Sequence, residues 1–437
     1  MSDELDKILI SWDQLDFEDV LEELFVSNAD LAHFGFGERD KKGYDNVREI
    51  LCETAERKDE AVAEFTVKFD AVTLTPKQFR IAGKDLKEAH GKIDGDLLKS
   101  IRQAIKNVRK YQQEIYLGNA KHPGIKYTAI KRVGICVPGA SAPLPSTVIM
   151  TAVPAQVAGV KEIVVISPPR CKGSIHPVTL AVCHELKIDE VYRIGGAQAV
   201  AALAFGTKTI PQVDKIVGPG NKWVQTAKQM LFGSVDIDSI AGPSEVLIIA
   251  NDKANPAWVA ADMLSQAEHA PGSAILFTDS RKFAEKALYE LKAQVPQLDR
   301  ATETIECLRK FSGIVVFDNM HEIIRCANEF APEHLQIQCG ETSREIVEKI
   351  ANAGAIFIGE YSPVALGDYW AGPSHTLPTG KSAKFFSALS ANDFIKSTSI
   401  IEYSAEQLAA SAEDIIRLAE VEDLDAHAKS VRIRQQD

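Results

Sequence analysis

Apolar residues recur at helical spacing through residues 1 to about 120. In "DNVREILCETAERKDEAVAEFTVKF" and "DLLKSIRQAIKNVRKYQQEIY" they alternate with charges in the pattern of amphipathic helices. From about residue 130 the period changes to short β-branched runs separated by helix-length segments. "RVGICVPG", "EIVVIS", "EVYRIG" and "KIVG" form one series, and "EVLIIA", "AILFT", "GIVVF", "HLQIQ" and "AIFIG" a second. Strands alternating with helices predict parallel sheets covered on both faces, so the chain reads as two α/β domains with a break near "IAGPSE" at 240 to 245. From about 389 onward two helical segments, "AEQLAASAEDIIRLAEVE" and "DLDAHAKSVRIRQQ", form a small tail without a strand series. Such a tail must dock on its own body or on a partner subunit.

Composition narrows the function classes. The 437 residues are 45% hydrophobic and 25% charged, the balance of a soluble globular chain with room for large cores. A net charge of −12 argues against nonspecific nucleic-acid binding. The seven cysteines are scattered without a CxxC pair, which suits a reducing compartment and disfavours a disulfide framework or a cysteine zinc site. No secretory signal or membrane-length apolar run is visible, so the expected location is cytoplasmic.

Ligands of open α/β sheets gather beyond the carboxyl ends of strands. In "RIGGAQAVAALAFG", Gly195 and Gly196 follow a strand and Gln198 opens a helix, so the loop suits an anion such as a pyrophosphate or is a tight turn. In "KIVGPGNKWVQ", Asn221 either caps a helix or meets a cofactor. No stretch matches GxGxxG, and "GFGERD" at 35 to 40 lacks the third glycine. Ser244, ahead of "EVLIIA", meets a substrate or closes a turn, and GxSxG is absent.

Three further clusters carry candidate chemistry. In "SQAEHAPG", Gln266 and His269 are three apart, so a helix would put them on one face and Glu268 elsewhere. They form a pair of donors for a metal or polar ligand, or an ordinary polar helix end. In "FAPEHLQIQ" the strand is expected to start near His334, and Glu333 can act with it only at the loop edge of that strand. Carboxylate beside imidazole is equipment for proton transfer and water activation. "GEYSPVALGDYWAGPSHTLPTG", 359 to 380, holds Asp368 and His375 and reads as an irregular, functional loop. "HELK" at 184 and "HEII" at 321 fail to complete HExxH.

Taken in order, "RIGGAQAVAALAFGT", "KIVGPGNKWV", "AGPSEVLIIA", "LSQAEHAPGS", "APEHLQIQ", "GEYSPVALGDYWAGPSHTLPTG" and "VEDLDAHAKSVRIR" closely resemble the histidinol dehydrogenase family, from about residue 45 to the end. The resemblance implies two incomplete Rossmann-like α/β domains with parallel sheets, N-terminal helices and a helical C-terminal tail. Residues 1–30 would be an N-terminal helical segment, 31–135 with 246–388 the main domain carrying the catalytic and zinc residues, 136–245 the NAD-contacting domain, and 389–437 a tail reaching the partner of a homodimer with shared active sites. The implied reaction is the four-electron oxidation of L-histidinol to L-histidine through L-histidinaldehyde, the last step of histidine biosynthesis, with two NAD+ and one Zn2+ per site.

By the same resemblance Gln266, His269, Asp368 and His427 would be zinc ligands that also contact substrate, a mixed oxygen and nitrogen set suited to zinc. His334 would be the general base, a neutral imidazole near the ordinary value of about 6.5, and Glu333 would activate water. Ser244 and Glu422 would contact substrate, with His375 a weaker candidate, and Gln198 and Asn221 would contact NAD. Cys136 stands where the family commonly has tyrosine, and Ala140 where glycine is frequent, so a stacking ring is replaced by a small thiol near the cofactor. A dehydrogenase for another small polar alcohol is the nearest rival. A noncatalytic relative would have lost ligand positions that are intact here.

Overall fold

The computed structural model describes residues 2–32, 41–139 and 142–435. Every β-branched run after residue 130 forms a strand. Strands β1 (Leu9–Ser11) and β2 (Ile125–Ala129) come first. They are followed by β3 (Arg132–Cys136), β4 (Glu162–Ile166), β5 (Glu190–Tyr192), β6 (Lys215–Val217) and β7 (Asp236–Ile237). The second series is β8 (Glu245–Ala250), β9 (Ser273–Thr278), β10 (Gly313–Val316), β11 (His334–Gln338) and β12 (Ala355–Ile358), with β13 (Ile395–Ser399) last.

The five-stranded sheet runs β5-β4-β3-β6-β7 and the six-stranded sheet β1-β10-β9-β8-β11-β12. All their pairings are parallel. Counted from its own first strand, β3 or β8, each sheet has the order of a doubly wound half, with a switch point beside that strand. The protein is therefore a mixed α/β fold with parallel sheets.

Central strands buried on both faces explain the unbroken apolar runs. In β8 the period of two divides the side chains. Val246 and Ile248 pack with Val259, Met263, Phe283 and Leu291. Leu247 and Ile249 pack on the other face with Leu21, Phe25, Ile323 and Phe330. Each such burial is worth roughly 1.5–3 kcal/mol, enough for the two faces to fix the register.

The structure differs from the sequence reading at both ends. The N-terminal stretch read as helical contains β1, which pairs with β10 through Leu9, Ile10 and Ser11. Its three residues are too few to show a period. The chain divides into one unit of residues 1–116 with 129–394 and a second of 117–128 with 395–437. In the second unit β13 pairs with β2, so the tail does carry a strand. That strand is mostly exposed and lacks the apolar run that revealed the others. The tail helices Ala405–Val421 and Asp425–Arg432 bury only Ala412, Ala419 and Ala428. Leu418 and Val421 are 68% and 79% exposed, leaving the unit almost without an apolar core.

Candidate active site

A cavity of about 540 Å³ opens at the carboxyl ends of β3, β4 and β6, where a doubly wound sheet binds ligands. Cys136, Gly195, Gln198, Pro219, Asn221 and Trp223 are among its walls. Gln198 is buried, and neither its Oε1 nor its Nε2 has a hydrogen-bond partner. Asn221 caps helix Lys222–Leu231, its Oδ1 accepting the Val224 N–H at 3.2 Å. Gly218 has φ of 103°, and a Cβ there would lie 2.4 Å from the Cys136 carbonyl oxygen, so only glycine fits. Its N–H donates to Asp238 Oδ2 at 2.6 Å, and the buried Lys228 ammonium donates to its carbonyl at 3.1 Å while pairing with Asp238. Burial pushes the Cys136 thiol up to about 12, so it lines the cavity as an apolar group. Ala140 and "GFGERD" lie outside the described residues.

A second cluster sits at the opposite pole of its sheet, at the amino ends of β8 and β11. Helix Met320–Phe330 ends in Ala331 at φ 50°, Pro332 turns the chain, and β11 begins at His334. Glu333 thus stands at the loop edge, where it and His334 come together despite adjacent positions: Glu333 Oε2 is 3.4 Å from His334 Nδ1. His334 Nε2 lies 3.7 Å from Asp368 Oδ1 and has no hydrogen-bond partner. Glu333 and His334 are buried.

Electrostatics correct one expectation. Burial by itself disfavours a charged imidazole, but the negative charge of Glu333, then of Asp368, outweighs it and lifts His334 to about 10. The ordinary value of about 6.5 does not hold at this position.

Glu245, the first residue of β8 and not among the expected site residues, is buried between Glu333 and Gly380. Its Oε1 accepts the N–H groups of Glu333 at 3.1 Å and Gly380 at 3.0 Å. Its own N–H donates to Glu333 Oε2 at 2.9 Å, and its carbonyl accepts from His334 Nδ1 at 3.0 Å. Burial, followed by the neighbouring Glu333, pushes its carboxyl up to about 8. The available signal was a carboxylate heading an otherwise apolar strand, a position tolerated only with partners.

Gln266 lies in the last turn of helix Pro256–Ala267, buried, with its Oε1 unpartnered. The helix ends before His269, which is exposed and is held three residues away by its N–H donating to the Gln266 carbonyl at 3.2 Å. The shared helical face is thus a shared turn. Ser244 precedes β8, and its carbonyl accepts the Ser273 N–H at 3.0 Å. A Cβ on Gly272 would touch both the Gln266 and Ser244 carbonyl oxygens, at 2.3 and 3.4 Å, which places those two backbones side by side.

Asp368 falls on a short helix, Val364–Tyr369, inside the stretch read as too irregular for one. Pro363 presets the entry to its first turn and Val364 is buried beneath it. This helix packs on Pro256–Ala267, the element bearing Gln266. The rest of the stretch ties the two sheet layers together. Ser374 donates to the Met150 carbonyl at 2.9 Å, His375 Nε2 meets Ser146 Oγ at 3.2 Å, and Gly380 reaches Glu245. Burial draws His375 below its ordinary value. Glu422 and His427 belong to the second unit, exposed at the end of helix Ala405–Val421 and in helix Asp425–Arg432. Among the described residues no three His, Cys, Asp or Glu side chains converge as a metal site.

Comparison with known proteins agrees with the resemblance. The family model for histidinol dehydrogenase matches residues 37–435. The histidinol dehydrogenase of Caldanaerobacter subterraneus is 48% identical over 396 residues, covering 89% of this chain and 91% of the relative. That of Rhodopirellula baltica is 46% identical over 396 residues, covering 89% and 86%. A crystal structure of histidinol dehydrogenase from Elizabethkingia anophelis superposes with a TM-score of 0.88 at 33% identity, covering 98% of both chains. The chain belongs to the histidinol dehydrogenase family and is an oxidoreductase.

Proposed function

We propose that the protein oxidises L-histidinol to L-histidine through L-histidinaldehyde, a four-electron reaction that uses two NAD+ and one Zn2+ per site in the last step of histidine biosynthesis. The observation that carries this reading is the buried, unpartnered His334 Nε2 with Glu333 at its side, a proton acceptor beside a carboxylate at a site able to exclude water. His334 takes the alcohol proton in the first oxidation. Glu333 then draws a proton from water as it attacks the aldehyde carbon, protonated His334 returns its proton to the former aldehyde oxygen to give the hydrate, and His334, neutral again, takes a hydroxyl proton as the second hydride leaves. Each NAD+ supplies a hydride acceptor. Gln198 supports its binding, since it lines the same cavity as Asn221 and Cys136 and both its buried amide atoms lack a partner.

Gln266, His269, Asp368 and His427 would hold the zinc. The orphaned Gln266 Oε1 fits such a role, because a buried amide oxygen without a donor costs free energy until something positive engages it. A bound zinc would orient the substrate amine and imidazole, polarise the substrate oxygen, and by its charge beside Asp368 favour the neutral form of His334. Ser244 and Glu422 contact substrate in this reading, along with the four zinc ligands and His334. The enzyme works as a homodimer in which each tail supplies Glu422 and His427 to the site of the other protomer; the exposed Leu418 and Val421 support a tail that needs a partner.

No helix among the described residues is long and apolar enough to cross a membrane. The scattered free cysteines support a cytoplasmic location, and the net charge of −12 speaks against a nucleic-acid partner. The test is NADH formation from L-histidinol by the zinc-loaded protein, with turnover abolished by a zinc chelator and restored by added zinc. Turnover of a different alcohol with none of L-histidinol would replace the proposed substrate.

A further inference from the structure

The reciprocal contacts around Glu245 exceed what a strand start needs. One carboxylate oxygen takes N–H groups from two separate segments, Glu333 ahead of β11 and Gly380 at the end of the 359–380 stretch. The main chain of the same residue holds both proposed proton-handling side chains, with its N–H on Glu333 Oε2 and its carbonyl on His334 Nδ1. A carbonyl can only accept, so Nδ1 must carry hydrogen, and a neutral His334 then has its lone pair on Nε2, the atom left without a partner. Withdrawing the Glu245 side chain would strand two buried N–H groups and free the start of β11 to shift, carrying Glu333 and His334 with it.

We propose that Glu245 is a positioning residue for the Glu333–His334 pair, its side chain acting as a hydrogen-bonding clamp whose reach, rather than its charge, is what the reaction requires. The inference rests on the reading of Glu333 and His334 as the groups that move protons. With its carboxyl pushed up to about 8, Glu245 keeps its proton near neutrality, and a glutamine reproduces that neutral shape with the accepting oxygen in place. An aspartate keeps the acid but draws the oxygen back by about one bond, roughly 1.5 Å, too far to serve both N–H groups.

Reach and charge therefore predict opposite rankings. In zinc-loaded enzyme assayed for NADH from L-histidinol, E245Q is expected to keep kcat within about fivefold of the parent, while E245D falls by at least about thirtyfold. Neither should move the KM for NAD+ more than about twofold, because the clamp lies at the other sheet. If E245D does not fold, E245N, with the same short reach and no charge, takes its place and should fall as far. A higher kcat in E245D than in E245Q, or all variants within about twofold of the parent, overturns the proposal. E333Q and H334A are measured alongside: if they turn over normally, the reading of the proton-handling pair fails, and that result is distinct from any ranking at Glu245.

Discussion

Gln266 and His269 show how far spacing alone reaches. Their separation of three put them together and set Glu268 aside, and the turn after helix Pro256–Ala267 keeps them close even though the helix ends first. The unpartnered buried oxygen of Gln266 is what spacing cannot show, since burial depends on the packing of distant segments. If these residues hold zinc, Gln266→Ala and His269→Ala should each release it at least about tenfold more readily in chelator competition followed by metal analysis, whereas Glu268→Ala should retain parental affinity. Equal retention by all three would remove the pair from the zinc site. Glu245 stayed hidden for the same reason, since its partner Glu333 lies 88 positions away and contacts at that separation leave no local pattern. The lift of His334 combines the adjacent Glu333 with the distant Asp368, whose approach only the folded chain brings about.

At the scale of elements, the apolar runs were legible because strands buried on both faces leave few alternatives, and β3 to β6 and β8 to β12 all lie where those runs stand. Short or exposed strands, β1, β2, β7 and β13, carry no such signature. The rule that ligands gather beyond carboxyl ends located the cavity beside Gln198 and Asn221 but misdirects at the second sheet, where Glu245, Glu333 and His334 cluster at amino ends. There the dipeptide chemistry and the family motif, not topology, drew attention to the site. The cavity loop gives an element-scale prediction. Gly218→Ala would force a Cβ to 2.4 Å from the Cys136 carbonyl oxygen at a left-handed φ. We expect it to cost about 1–3 kcal/mol in denaturant unfolding and to raise the KM for NAD+ several-fold with little change in that for L-histidinol. A rise in both KM values together would show that the loop serves more than the cofactor.

For the whole molecule, the sequence made a two-sheet body plain and left the tail's destination open, because a unit that buries little beyond three alanines is not specified by its own core. If His427 serves the other protomer's site, mixing His334→Ala with His427→Ala protein under demonstrated subunit exchange should restore about a quarter of parental activity, the fraction of sites that random pairing leaves intact. No recovery would confine each site to one chain. In the proposed reaction one acid–base pair carries the alcohol through two successive oxidations without release. The most direct measurement counts NADH against L-histidine formed by the zinc-loaded enzyme from L-histidinol. Two NADH for each L-histidine, with no free aldehyde trapped in solution, are expected; one NADH per L-histidinol consumed, with aldehyde accumulating and no L-histidine, would overturn the proposed reaction.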